Sequence, residues 1–458
     1  MNRTLPEVIV SVLGFAENSA ALADPFKEFT LREWKGALLW LDRSGLSLYF
    51  WNKLRQLGLQ DSMPPAVGAA LEARFSQNRS RIRLILSEWR YLQALFDSSG
   101  VRSVVLKGLA KIPDYCPDPA LRVQFDHDWL IDRGSLERVT EVLRLADYQR
   151  KNKPQLDRAV YSKKDPPLSH AWNPSDSYDA KLPRSVEFHL DLWDSHNERI
   201  PIALPGDLFS RRVPKKWGKD QFFSLNNEDA LIFEALHTFR HIIHNWCRLS
   251  LLYELAHFLD RHSSNRSFWQ SFCTRIEGNL ELRRLSGAVF TLASMMFKVP
   301  NAFGEVPAEF FAQTPELQLW VERYGRSSAL SNFSEDKFSM FLAREFVEEA
   351  DGWRHLRRRR LFPLQAPNRL PATTKQDTFA GLTEKYWSGI RFLRRLGFHV
   401  RGTLLYAWEY PRWRFLIRGE KRKRLSKFVH DASQAQQTNL LLRRRAYESP
   451  ADLGRPLK

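Results

Sequence analysis

Residues 101–131 read VRSVVLKGLAKIPDYCPDPALRVQFDHDWLI, and the fold turns on how this stretch is parsed. Val101 to Leu106 is a β-branched apolar run that fits a short buried strand. Lys107 and Gly108 punctuate it, the next residues to Tyr115 fit about two helical turns, and Pro117 and Pro119 stop them. A second strand is expected over residues 123–131. Ser135 is placed to cap a helix over 136–145, with Leu136, Val139 and Leu143 on one face. Strand, helix, strand and helix in that order predict an α/β unit. Residues 150–183 are polar and proline-bearing and read as a long loop with one strand near 159–162, and residues 185–193 return as a strand.

Outward from this unit the period lengthens to that of a helix. Trp34, Leu38 and Leu41 precede it at helical spacing, and Leu71, Phe75, Ile82, Leu86, Trp89, Leu92 and Leu95 mark a long amphipathic helix. Residues 228–244, 248–260, 268–275 and 280–297 each carry an apolar stripe. Residues 363–374 read as a linker, 386–405 and 411–428 as basic aromatic helices, and the last stretch as frayed. The expected division is a helical lobe over 1–98, a catalytic domain over 99–225, a helical domain over 226–362 and a partly flexible basic tail over 363–458.

Of the 458 residues, 43% are hydrophobic and 13% aromatic, enough to bury a full core, which excludes a disordered chain. The start carries Glu7 and Glu17 and no basic region before its short apolar run, so a secretory signal is not expected. Cys116, Cys247 and Cys273 lie far apart, which argues against a disulfide framework or a zinc knuckle. These features suit a cytoplasmic protein, membrane-peripheral at most. Charge is unevenly placed: from Arg354 onward there are 25 Lys and Arg against 7 Asp and Glu, so the whole net charge of +18 lies in that region. Its basic clusters interleave with Trp387, Trp408, Trp413 and Phe415. Over 354–428 this composition suits a nucleic-acid backbone, an anionic membrane or a solvated helical face alike.

Asp126 and Asp128 fall at i and i+2 of an expected strand and therefore on one face, where two carboxylates can share a hard divalent cation. Glu187, His189 and Asp191 alternate in the same way on a later strand. His237, His241 and His244 share one face of a helix, which suits a structural or cleft-lining role better than a zinc site.

The ordered set Leu106-Lys107-Gly108, Tyr115, Pro117, Arg122 and Asp126-His127-Asp128-Trp129-Leu130-Ile131 resembles the uncharacterised nucleotidyltransferase family of the DNA-polymerase-β-like superfamily. The likeness extends over roughly residues 30 to 300, through Tyr148, Glu187-Phe188-His189, His237 and Glu254. It implies an α+β fold, with a polymerase-β-like core of small mixed sheet embedded in a mainly helical protein. It also implies a metal-dependent transfer of a nucleotidyl group from an NTP to a hydroxyl acceptor, with Mg²⁺ or Mn²⁺ on Asp126, Asp128 and Glu187 as catalytic carboxylates. By the same resemblance Lys107, Gly108, Arg122 and His189 would contact the nucleotide, while His237 and Glu254 would line the cleft. Arg122 would hold phosphate or brace the two aspartates. The acceptor is left open among small molecules, sugars, protein side chains and RNA. The alternative is a catalytically weak binding protein on the same fold that uses its basic helices on nucleic acid or anionic membrane. The sequence departs from the family pattern at Phe125, at His127 and at Asp147, where glycine is usual. Repulsion within the carboxylate cluster further predicts that Asp128→Asn costs little stability.

Overall fold

In a computed structural model of the chain, the two apolar runs flanking the Lys107 turn become central strands of a seven-stranded mixed sheet. The structure describes residues 3–16, 21–152, 157–163, 174–304, 306–331, 336–362 and 392–423, with the single positions 390 and 426. The expected linker at 363–374 and the last stretch of the chain lie outside the described residues.

The strands are β1 (Ser103–Val105), β2 (Asp126–Ile131), β3 (Tyr148–Arg150), β4 (Arg158–Lys163), β5 (Ser185–His189), β6 (Val213–Trp217) and β7 (Asp220–Ser224). Their order across the sheet is β3-β4-β5-β2-β1-β7-β6. β2 runs antiparallel to β1 with Val104 opposite Leu130, and parallel to β5 with Asp128 opposite Glu187. β7 joins β1 in parallel through Val105 and Ser224. The chain is thus α+β with a mixed sheet in a mainly helical protein, as the resemblance implies.

Three local expectations shift. The turn after Lys107 is a 3₁₀ segment, Gly108–Lys111, in place of two α-turns. Asp132, and not Ser135, caps the next helix region, accepting from the Ser135 amide at 3.1 Å. β5 ends at His189, which leaves Asp191 exposed beyond it.

Because side chains alternate along a strand, β2 and β5 divide their residues between two faces. Trp129, Ile131, Val186 and Phe188 point one way, into a core with Trp89, Leu92 and Phe96 of the long Pro65–Ser98 helix and Val139 and Leu143 of the Leu136–Leu145 helix. Trp129 and Phe188 are fully buried and stack at 5.9 Å, each ring contributing about 1.5–3 kcal/mol through burial. The other face carries Asp126, Asp128, Glu187 and His189. It meets the Asn227–Ile243 helix, whose Phe233 ring lies edge-on to His189 at 6.2 Å. The Leu249–His262 and Leu280–Phe297 helices complete this second layer.

Two units divide the chain, Met1–Gly402 and Thr403–Lys458. In the second, residues 403–423 are helical straight through Pro411, and Tyr406 and Trp413 are buried. No described helix is long and apolar enough to cross a membrane.

Candidate active site

The parallel register of β2 and β5 sets Asp128 beside Glu187 and carries His189 to the same patch. Candidate ligand atoms of Asp128, Glu187 and His189 all lie within 4.8 Å of one another. Asp126 stands one pleat along the same face, close enough that its charge is felt by Lys107 and Glu187. Asp128 and Glu187 therefore converge with His189, while Asp126 stands beside that group and outside it.

Lys107 enters this cluster from the end of β1. Its Nζ donates to Asp128 Oδ1 at 2.8 Å, and His189 Nε2 sits 3.0 Å from the same oxygen. Asp128 Oδ2 is buried and has no hydrogen-bond partner among the described residues. A buried orphan oxygen on an ionised carboxylate is costly, and it marks where a cation or donor would fit.

Electrostatics separate the acids. Burial alone would raise the Asp128 carboxyl, but Lys107 and His189 outweigh it and hold the group well below the usual carboxylate range. Burial and the neighbouring charge of Asp128 push Asp126 up. Glu187 is pushed up to about 7 by burial, then by Asp128 and Asp126. Burial opposes the charge on Lys107, yet the three carboxylates raise its pKa. Burial and the Lys107 charge keep His189 below the usual imidazole value.

The loop that delivers Asp126 is gripped from behind by the long Pro65–Ser98 helix. Arg81, fully buried, donates to the carbonyls of Gln124 at 2.9 Å, Asp179 at 2.7 Å and Leu182 at 3.0 Å. Asn78 holds the carbonyls of Ala120 and Arg122. Gly108 adopts φ +64°, and a Cβ there would stand 3.0 Å from the Gln124 amide, which itself donates to the Asp126 carbonyl at 2.8 Å. Its glycine requirement thus comes from this turn and from the close approach of Gln124.

Arg122 is tied to the helical layer through Glu254. Its Nε donates to Glu254 Oε1 at 3.1 Å, joining a buried network in which Lys111 Nζ bridges Glu234 and Glu254 at 2.7 Å each and the Tyr49 hydroxyl donates to Glu254 at 3.0 Å. This tether joins the turn to the helical layer, and the charge of Arg122 is still felt by Asp126, whose carboxyl it lowers. His237 and His241 meet at 3.2 Å between their Nε2 atoms, and burial with the Lys107 charge keeps His237 well below the usual imidazole value. His244 turns aside to Glu198 at 2.9 Å, so the three histidines form no common ligand set.

The departures from the family pattern now have partners. His127 lies on the opposite face of β2, 3.3 Å from Glu88, which also takes the Tyr148 hydroxyl and Arg184. Asp147 sits at φ +64°, the left-handed conformation that favours glycine. Phe125 lies under the Arg248 guanidinium at 4.5 Å. Arg248 has no carboxylate partner among the described residues; burial lowers its pKa, and the nearby charge of Asp126 only partly offsets this. Sequence reasoning missed Arg248, Lys111, Glu234 and Arg81. Each is a lone polar residue within an otherwise helical or loop pattern, and no spacing signal marks it.

A family model described as an uncharacterised nucleotidyltransferase matches residues 30–298, more than half of the chain. No curated protein and no solved structure matches it.

Proposed function

We propose that this chain, which belongs to the uncharacterised nucleotidyltransferase family, moves a nucleotidyl group from an NTP to a hydroxyl on a polymerase-β-like core. Asp126, Asp128 and Glu187 would hold Mg²⁺ or Mn²⁺, with His189 at the edge of the group. The observation that carries this reading is the register pairing Asp128 with Glu187 beside an unpartnered, buried Asp128 oxygen. When bound, the cation neutralises phosphate charge and makes the attacking hydroxyl more acidic.

The chain's own residues supply the rest. Lys107 keeps Asp128 ionised in a buried place. Glu187 would accept the hydroxyl proton; in the metal-free chain burial, then Asp128 and Asp126, push its carboxyl up to about 7. Arg248, stacked on Phe125 and facing Asp126, is the cation best placed for the triphosphate. Lys107 and Gly108 shape the turn below it, and His237 and Glu254 line and brace the cleft wall.

The test is equilibrium binding of each NTP with and without Mn²⁺, followed by incubation with labelled NTP and pools of candidate acceptors. Mn²⁺-dependent binding that Asp126→Asn and Glu187→Gln each abolish supports the assignment. Absence of metal-dependent nucleotide binding in the wild-type chain sinks it and favours a binding protein on the same fold.

A further inference from the structure

Residues 403–423 of the second unit run as one helix with an exposed apolar side. Leu404, Trp408 and Phe415 are 65%, 83% and 76% exposed. At 3.6 residues per turn they fall within about 40° of one another on one face. Tyr406, Glu409 and Trp413 are buried and fall on the opposite face. The helix therefore buries one side and turns a ridge of large apolar side chains to solvent. In the first unit, Leu393, Leu396 and Val400 are also exposed, at the same spacing of three to four residues. Single exposed apolar side chains are ordinary on a protein surface, but a row of them marks a surface that meets a partner.

The charges beside the ridge identify the partner. By the same helical period Arg412 lies on one flank, Arg414 and Arg418 lie on the other, and Arg422 continues the line of the ridge, all four exposed. The acids of this stretch offer no counterweight, since Glu409 is buried and Glu420 pairs with Lys423 at 2.7 Å. An apolar ridge bordered by arginines matches the boundary of an anionic bilayer: the rings and Leu404 enter the edge of the acyl region while the guanidinium groups stay level with the lipid phosphates. A nucleic-acid duplex would engage the arginines and leave the ridge in water. A single strand could stack bases on Trp408 and Phe415 but would gain nothing from Leu404. No described helix is long and apolar enough to cross a membrane, so the contact is that of a helix lying in the surface.

We infer that the helix over residues 403–423 docks on an anionic lipid bilayer, with Leu404, Trp408 and Phe415 inserted at the interface and Arg412, Arg414, Arg418 and Arg422 against the headgroups. This docking makes no use of the carboxylate cluster and stands or falls apart from the chemistry proposed there.

Co-sedimentation of the full chain with vesicles of phosphatidylcholine alone, and of phosphatidylcholine and phosphatidylglycerol at roughly 3:1, tests it. The wild type should bind the anionic vesicles at least about ten-fold tighter than the neutral ones, because each basic residue near the surface adds to the attraction. Trp408→Gln/Phe415→Gln keeps every charge and should lose at least about ten-fold of that affinity, with thermal unfolding and Mn²⁺-NTP binding as in the wild type. Arg412→Gln/Arg418→Gln keeps the ridge and should bind more weakly at low salt, with the deficit shrinking at high salt. Failure of the wild type to bind the anionic vesicles, or equal binding by Trp408→Gln/Phe415→Gln, overturns the docking. Self-association of the wild type that this variant abolishes, without vesicle binding, overturns it in favour of an interface between copies of the chain. Binding of a short RNA without binding of vesicles overturns it in favour of a nucleic-acid face.

Discussion

Neutralising Asp128 and neutralising Glu187 remove one charge each from the same cluster, yet the geometry separates their outcomes. Asp128 is the partner of buried Lys107, so Asp128→Asn leaves an ammonium short of its counter-ion, and denaturant unfolding should show a loss of about 3 kcal/mol. This replaces the expectation, drawn from repulsion alone, that the change is nearly free: the repulsion falls on Asp126 and Glu187, whose carboxyls are the ones pushed up. Glu187→Gln should therefore leave metal-free stability unchanged or raise it by up to about 1 kcal/mol, while abolishing Mn²⁺-dependent NTP binding. A second titration test lies outside the cluster. Burial opposes ionisation of Asp114, but His262 and Lys215 hold its carboxyl down to about 2. A depressed carboxylate adds stability above its unfolded value, near 4, and loses it as pH falls through the folded value. Between pH 4 and pH 2 the wild type should lose about 1 kcal/mol more than Asp114→Asn, after allowance for solvent screening of this partly exposed group. Equal acid-unfolding profiles would remove Asp114 from the account. Asp126, Asp128 and Glu187 were legible as candidates because strand period and motif order both mark them. The partner of Lys107 was not, since a contact between residues 21 apart depends on which strands pair.

At the scale of elements, the elements whose residues repeat strongly were the ones read correctly. The Pro65–Ser98 and Leu136–Leu145 helices carry continuous apolar stripes. β6 reads VPKKW, with a proline and two lysines on an exposed edge, and β3 is three residues long, so neither announces itself as a strand. Turns were legible in place but not in kind. Asp147 holds a left-handed turn that a glycine would hold without a Cβ penalty, so Asp147→Gly should stabilise the chain by about 0.5–1 kcal/mol in thermal unfolding, with NTP binding unchanged. Gly108→Ala should act in the opposite sense. The added methyl displaces Gln124 from the Asp126 carbonyl, which should cost about 1–2 kcal/mol and weaken Mn²⁺-NTP binding several-fold. Unchanged nucleotide affinity in that variant would show that the Gln124 brace does not position Asp126.

For the whole molecule, charge alone suggests a cut after Asp351, where the basic excess begins. The structure argues for another place: Leu356 is buried and Arg360 approaches Glu198, so the Ala350–Leu361 helix belongs to the first unit, which runs to Gly402. A chain ending at Gly402 should keep its cooperative unfolding, and if the region beyond binds a polyanion, its log K against log salt slope should flatten. Equal slopes for the two chains would make that region a solvated face. The buried network around Glu254 carries a consequence for how the protein is made. Lys111 lies 123 residues ahead of Glu234 and 143 ahead of Glu254, and Arg122 lies 132 ahead of Glu254. At about 5–20 residues per second, a ribosome releases both cations many seconds before the acids that neutralise them exist. The network can therefore be completed only after the Leu249–His262 helix has been made, so the order of translation bounds the order in which this wall of the cleft can be assembled.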